Sequence, residues 1–292
     1  MKNIYLLLLL CTTLLSKVEV SLSHTNIKHG TTFAVVLQSD TKLVAAPNAI
    51  FKNKTFQMFT IGGNTKKYEV FLPVDYHATK QEENIQVRYV KNNTLIKKNI
   101  AINIVDGNYR QNEIIKVSKG KVKLSKSNKK RSNNEYSKVY KNVYGVITQK
   151  NIAKKSTFQL PMNSKITSNF GNARIYNGIA KSYHSGTDFR AKVGTPISSA
   201  NDGIVALAMD RFYLGKVVYV DHGRGAYTYY CHMDKINVKQ GQKVKKGEVI
   251  GLSGKTGRIT GPHLHYAVRL YNTTVDPIQY GNLYNNIIKN YH

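Results

Sequence analysis

"GPHLH" occupies residues 261–265. Side chains alternate between faces along an extended chain, so His263 and His265 share one face and Leu264 takes the other. Leu264 can then anchor in a core while two imidazoles face a cleft. Such a pair can hold a metal, or set a metal ligand beside a proton carrier. It can equally be a partly exposed strand whose histidines make ordinary hydrogen bonds. The rest of the chain has to decide between these readings.

Two further stretches favour the first. "HSGTD" (184–188) pairs His184 with Asp188. Gly186 between them disfavours a helix, and in an extended strand positions four apart share a face. "TYYCHM" (228–233) alternates so that Thr228, Tyr230 and His232 face one way and Tyr229 and Cys231 the other. Cys231 then reads as a small buried residue rather than the nucleophile of a Cys–His pair. Four histidines and one aspartate thus converge on one face. A catalytic zinc takes three protein ligands from His, Asp, Glu and Cys and keeps a position for water. A His/Asp/His set meets that need and leaves two histidines over.

Around these stretches, residues 157–280 carry dense glycines and short β-runs, including "GIVALAM" (203–209), "KVVYVD" (216–221) and "VIGLSG" (249–254). "HGRG" (222–225) reads as a hairpin turn. We expect an antiparallel sheet domain here. Residues 23–110 also read as short strands, among them "TTFAVVL" (31–37), "KYEVFLPV" (67–74) and "NIQVRYV" (84–90). No 3.6-residue period runs through them, so a small β-sandwich or barrel is expected. His29 and His77 are isolated there and read as structural or surface residues. Between the two β regions, residues 111–156 form a basic linker. Its segment 116–134 holds eight Lys/Arg and no acid, which predicts an extended chain. A short helix is expected over 134–150. Residues 281–292 are expected to be a tail. The fold class is therefore mainly β, in two domains.

The first 22 residues contain a lysine, an apolar run from Ile4 to Leu15, and small residues after it. That is the pattern of a signal peptide, too short in its apolar part to span a bilayer. No later segment is apolar enough to do so. If Cys11 leaves with the leader, Cys231 remains alone, and no internal disulfide forms. The formal charge is +28, from 44 Lys+Arg against 16 Asp+Glu in 292 residues. Such a surface is drawn to polyanions. Export argues against nucleic acid and leaves the anionic polymers and lipids of a cell envelope.

"YHSGTDFRAKVGTPISSANDGIV", "GKVVYVDHGRGAYTYYCHM", "VKQGQKVKKGEVIGLSGKTGRITGPHLHYAV" and "VDP" together resemble the signature of the LytM/lysostaphin-type zinc peptidases, family M23. "SNFGNAR" (168–174) resembles the segment that opens the family's domain. The resemblance covers about residues 158–280. It implies one Zn²⁺ per chain, bound by His184, Asp188 and His265, with His263 and His232 flanking the bound water and the scissile carbonyl. All these positions are intact. Cys231 stands where the family often has alanine. His222, in "VDHG", falls in a turn and reads as structural, and Asp276 before Pro277 reads as a turn residue.

The resemblance implies a metalloendopeptidase that cuts the peptide cross-bridges and stems of peptidoglycan. The N-terminal module looks like that of Gram-negative members. This favours the D-alanyl–diaminopimelate bond, with carboxypeptidase trimming of the same stem as a further activity, and a place in the periplasm or cell envelope. The alternative is a non-catalytic envelope protein of the same fold that activates a wall amidase, but the intact motif argues against it. Glycine-cornered strands such as "VKKGEVIG" also occur in lipoyl and biotinyl carrier domains, which need no such cluster of ligands.

Overall fold

A computed structural model describes residues 17–111, 113–148, 152–153 and 156–291. Most of the expected leader, residues 1–16, lies outside them. Its expected boundary at residue 22 needs correction, because Val18–Leu22 is a strand of the first domain and pairs with Val35–Ser39.

Nine strands build the N-terminal domain: β1 (Val18–Leu22), β2 (Asn26–Lys28), β3 (Thr32–Ser39), β4 (Asn48–Phe51), β5 (Lys54–Gln57), β6 (Phe59–Ile61), β7 (Asn64–Pro73), β8 (Gln81–Lys91) and β9 (Thr94–Val105). One sheet runs β1-β3-β7-β6 and the other β2-β9-β8-β4-β5. Their inner faces share one apolar core, in which Phe33 of β3 meets Phe51 of β4 edge to face at 5.5 Å.

The basic segment is not extended. After β10 (Glu113–Ile115) comes helix α1 (Lys126–Val139), which begins inside the lysine run rather than after it. Ser125 caps it by accepting from the Asn128 N–H at 3.2 Å. Arg131 pairs with Glu135 one turn on at 2.6 Å, and the other Glu135 oxygen accepts the Phe212 N–H at 2.8 Å. Val139 and Val143 bury against Leu207, Val217 and Tyr219. One apolar and acidic edge therefore docks the helix, and the lysines stay on the solvent side.

The second domain holds β11 (Ile166–Ser168), β12 (Ala173–Tyr176), β13 (Ala180–Tyr183), β14 (Thr187–Arg190), β15 (Pro196–Ser198), β16 (Gly203–Arg211), β17 (Gly215–Asp221), β18 (Ala226–Ile236), β19 (Lys243–Val244), β20 (Val249–Ser253), β21 (His263–Leu270) and β22 (Thr273–Val275). The spine of its large sheet is β11-β14-β21-β18-β17-β16-β19, all antiparallel. A small sheet, β10-β12-β13, stands beside it. In that sheet β10 pairs parallel with β12, so the linker supplies a strand to the second domain.

The expected tail is helix α2 (Pro277–Tyr291). Tyr280, Tyr284, Ile287 and Ile288 lie on one stripe of it and are buried. Asp276 caps the helix, accepting from the Ile278 and Gln279 N–H groups at 2.9 and 3.1 Å. The stripe packs on the N-terminal domain, where Phe71 stacks on Tyr284 at 5.2 Å. Gln279 accepts from the Thr32 N–H at 2.9 Å and donates to the Thr32 carbonyl at 2.7 Å. This explains why β3 is buried on both faces. A buried ion pair between Glu69 and Arg224 also joins the domains.

Candidate metal centre

His184, Asp188 and His265 come together in the interior of the cleft. Asp188 lies on β14 directly opposite His265 on β21. His184 is not on the same strand as Asp188. It follows β13, and the chain turns at Ser185–Gly186 before β14 begins. The turn tolerates only glycine at 186, since a Cβ there would stand 2.5 Å from the Tyr266 carbonyl and 2.8 Å from the His265 ring. His184 is clamped from both sides, donating its N–H to Asn172 and accepting from the Gly171 N–H, each at 2.8 Å.

The three ligand-type atoms crowd one point. Asp188 Oδ1 is 2.8 Å from both His184 Nε2 and His265 Nδ1, and those nitrogens are 3.0 Å apart. His184 Nδ1 faces the Asn169 carbonyl at 2.7 Å, which fixes the proton on Nδ1 and leaves Nε2 as a lone pair. His265 Nε2 is buried without a hydrogen-bond partner among the described residues. Burial also depresses the His265 pKa to about 4, against the pull of Asp188, so the ring is neutral. Burial by itself would raise the Asp188 carboxyl, but its close contacts with the His184 and His265 rings hold it well below the usual range. Two imidazole nitrogens and one carboxylate oxygen facing one point fit a zinc ion's preferred donors.

Two more histidines border this cluster. His263, on β21, has its Nε2 3.7 Å from Asp188 Oδ1. Its ring centre is 4.9 Å from that of His232. Each is oriented by a backbone carbonyl at Nδ1: Gly261 for His263 at 2.9 Å and Thr256 for His232 at 2.8 Å. Burial, reinforced by the neighbouring histidines, lowers the His232 pKa to about 3.

His232 reaches the cleft by a different route from the one alternation suggests. Tyr230 and Thr228 point into the core beneath the sheet, where they hydrogen-bond with each other at 2.9 Å. Strict alternation would send His232 the same way. Instead its φ is +61°, and the pairing of β17 with β18 slips a register at this place. This bulge turns His232 over to the face of His263 and His265. Cys231 is paired opposite His265 and so shares the ligands' face, not the far one. It remains a buried thiol, with its pKa pushed up by burial.

The other histidines are elsewhere. His222 is buried in the core, 2.8 Å from both the Asp202 carbonyl and the Thr228 hydroxyl. His29 and His77 join Tyr76, Tyr109 and Tyr183 in an aromatic cluster between the domains.

Sequence reasoning passed over the groups that steady Asp188. Arg174, within "SNFGNAR", donates from Nη2 to Asp188 Oδ2 at 2.8 Å and from Nε to Glu113 Oε2 at 2.8 Å. Glu113 comes from β10, so the linker strand reaches the His184–Asp188–His265 cluster through one arginine. The cleft is a cavity of about 140 Å³, whose walls include Tyr176, Tyr183, Tyr213 and Arg258.

Comparison with known proteins adds to this geometry. Residues 182–277 match the family described as Peptidase family M23. The peptidoglycan DD-endopeptidase ShyA of Vibrio cholerae is 47% identical over 109 residues, covering 36% of this chain and 25% of that protein. The DD-carboxypeptidase/endopeptidase Mpg of Neisseria meningitidis is 40% identical over 95 residues, 32% of this chain and 22% of that one. The chain thus spans about a quarter of the length of these relatives. A crystal structure of an M23 peptidase from Pseudomonas aeruginosa overlays 90% of this chain and 96% of its own with a TM-score of 0.62 at 24% identity, a likeness of fold. The segment that matches this family, residues 182–277, contains all five cleft residues, His184, Asp188, His232, His263 and His265.

Proposed function

We propose that the chain is a zinc-dependent hydrolase of peptidoglycan peptides, an endopeptidase acting on the D-alanyl–diaminopimelate cross-link and trimming the same stem as a carboxypeptidase. The observation that carries this is the juxtaposition of the His184–Asp188–His265 cluster with two further histidines in one cleft. The names of ShyA and Mpg support the substrate class. Its place is the periplasm or envelope, reached through a leader at the N-terminus. Among the described residues no helix is long and apolar enough to cross a membrane.

His184 Nε2, Asp188 Oδ1 and His265 Nδ1 would hold one zinc ion. Bound there, zinc polarises a carbonyl and lowers the pKa of water toward about 7. Asp188 supplies one negative charge to the site, and Arg174 occupies its second oxygen, leaving Oδ1 as the ligand atom. His232 and His263 move protons. With Nδ1 of each committed to a carbonyl, Nε2 is the basic atom that faces the cleft. Burial keeps His232 neutral, so its Nε2 carries the lone pair that would take a proton. His263, whose Nε2 lies 3.7 Å from Asp188 Oδ1, is the partner that steadies negative charge on the substrate. The test is digestion of purified peptidoglycan with mass analysis of the products. Release of cross-link halves bearing new D-alanyl carboxyl and diaminopimelate amino ends is expected. Intact cross-links after incubation with the zinc-loaded chain would overturn the assignment.

A further inference from the structure

Arg258 stands in the wall of the same cleft as the metal cluster. Its guanidinium lies between two tyrosine rings, 3.9 Å from the centre of Tyr176 and 4.6 Å from that of Tyr213. The Arg258 backbone N–H donates to the Tyr213 carbonyl at 2.8 Å. Gly257, at φ +87°, lets the loop come this close, because a Cβ there would stand 2.5 Å from the Gly215 nitrogen and 2.6 Å from the Tyr213 carbonyl. The loop and the 212–215 turn are thus locked together, and the arginine is held in place before any ligand arrives. Yet no carboxylate among the described residues pairs with it, and its side chain has no hydrogen-bond acceptor there. Burial lowers the Lys121 pKa, and the nearby Arg258 guanidinium adds to that lowering, so Lys121 is close enough to add to the positive charge here. Every other arginine at this site is spoken for: Arg174 is committed to Glu113 and Asp188. A stacked guanidinium keeps its in-plane N–H groups free, and that fork matches a carboxylate.

We propose that Arg258 binds a free carboxylate of the substrate beside the scissile amide, and so selects cross-links whose amine-side residue carries one. This rests on the hydrolase reading above and deepens it. In a D-alanyl–diaminopimelate link, the carbon that bears the amide nitrogen also bears a carboxylate. A glycine bridge has none at that place. Tyr176 and Tyr213 position the guanidinium, and Arg258 is the specificity-determining residue.

The experiment uses two cross-linked muropeptides that differ only in the diaminopimelate carboxylate next to the scissile bond, free in one and amidated in the other. They are given to the zinc-loaded wild type, Arg258→Gln and Arg258→Lys, with zinc content and thermal unfolding measured for each. A charged hydrogen-bonded pair contributes about ten- to a hundred-fold. Wild type is expected to prefer the free acid by that factor, mostly in KM. Arg258→Gln should lose the preference, cutting the free acid more slowly and the amidated form as before. Arg258→Lys should fall between them. Equal preference in wild type and Arg258→Gln, with zinc and folding intact, would overturn the proposal. Binding of the uncleaved stem peptide is measured alongside. If it is Arg258-dependent while no chain cuts either substrate, the carboxylate site stands and the hydrolase reading fails. If it is Arg258-independent, the carboxylate site fails whatever the cleavage.

Discussion

At the scale of single residues, His232 shows what the site asks of the backbone. A non-glycine residue at φ +61° is costly, on the order of 1–3 kcal/mol, and persists where surrounding contacts demand it. Here its N–H is held by the Leu214 carbonyl and its ring by Thr256, so the strained conformation aims one nitrogen at the cleft. Arg174 acts more quietly. Removing a partner that orients a metal ligand typically costs about 10–100-fold in affinity. Arg174→Met should therefore weaken zinc binding by that factor and also lower the unfolding midpoint of the metal-free chain, because it leaves the Glu113 and Asp188 carboxylates unpaired. Competition with a chromogenic chelator measures it, and undiminished affinity would remove Arg174 from the site. His222 gives a pH dependence separate from chemistry. Burial lowers its pKa to about 4, below the ordinary 6.5, so between these values the unfolded chain holds a proton that the folded chain excludes. Its neutral ring contributes fully above pH 6.5, and that contribution is lost as pH falls toward 4. The loss is about 2–3 kcal/mol at pH 4.5. Urea unfolding at pH 7 and 4.5 should show a smaller drop for His222→Asn than for wild type; equal drops would contradict the assignment.

At the scale of elements, the strands that carry ligands follow alternation where the sheet is regular. His263 and His265 on β21, with Leu264 buried behind them, are where the period of two puts them. The same rule misplaces Cys231, and it delivers His232 only by accident, because a bulge depends on how three strands meet and leaves no mark in local composition. Arg174 was illegible for a related reason: its partners, Glu113 and Asp188, lie on other strands and only the folded chain brings them near. The helix α2 was legible but overlooked. Its tyrosines and isoleucines at 280, 284, 287 and 288 carry the spacing of one buried helical stripe. Charge masked α1, where lysines suggested repulsion while Ser125, Glu135 and Val139 supplied a cap, an anchor and a buried edge. Since α2 fills the space between the domains, Tyr284→Ala should cost about 3–5 kcal/mol, as for other large buried aromatics. Denaturant titration tests this, and a loss below about 1 kcal/mol would mean that the helix rests on the core without holding it.

At the scale of the whole molecule, the N-terminal domain is fastened to the second one by α2, by Glu69–Arg224 and by the stacking of Tyr76 on Tyr183 at 3.9 Å. Tyr183 is itself a wall of the cleft, so the first domain braces the site it adjoins. Over this frame lies a net charge of +28. If that charge concentrates the enzyme on an anionic wall, binding to purified walls should weaken steeply as salt rises, since exposed charges are screened over about 8 Å at physiological ionic strength. Cleavage of a small soluble muropeptide should change far less. Salt-independent wall binding would show that the basic surface serves solubility alone. The account as a whole turns on which histidines hold metal and which move protons, and one measurement separates them: zinc per chain in wild type and in Asp188→Ala, His265→Ala, His232→Ala and His263→Ala, with muropeptide cleavage in the same samples. We expect one zinc in wild type, little in the Asp188 and His265 variants, and undiminished zinc in the His232 and His263 variants with turnover lowered about 10²–10⁴-fold. Full zinc in Asp188→Ala, or its loss from His263→Ala, would contradict the account.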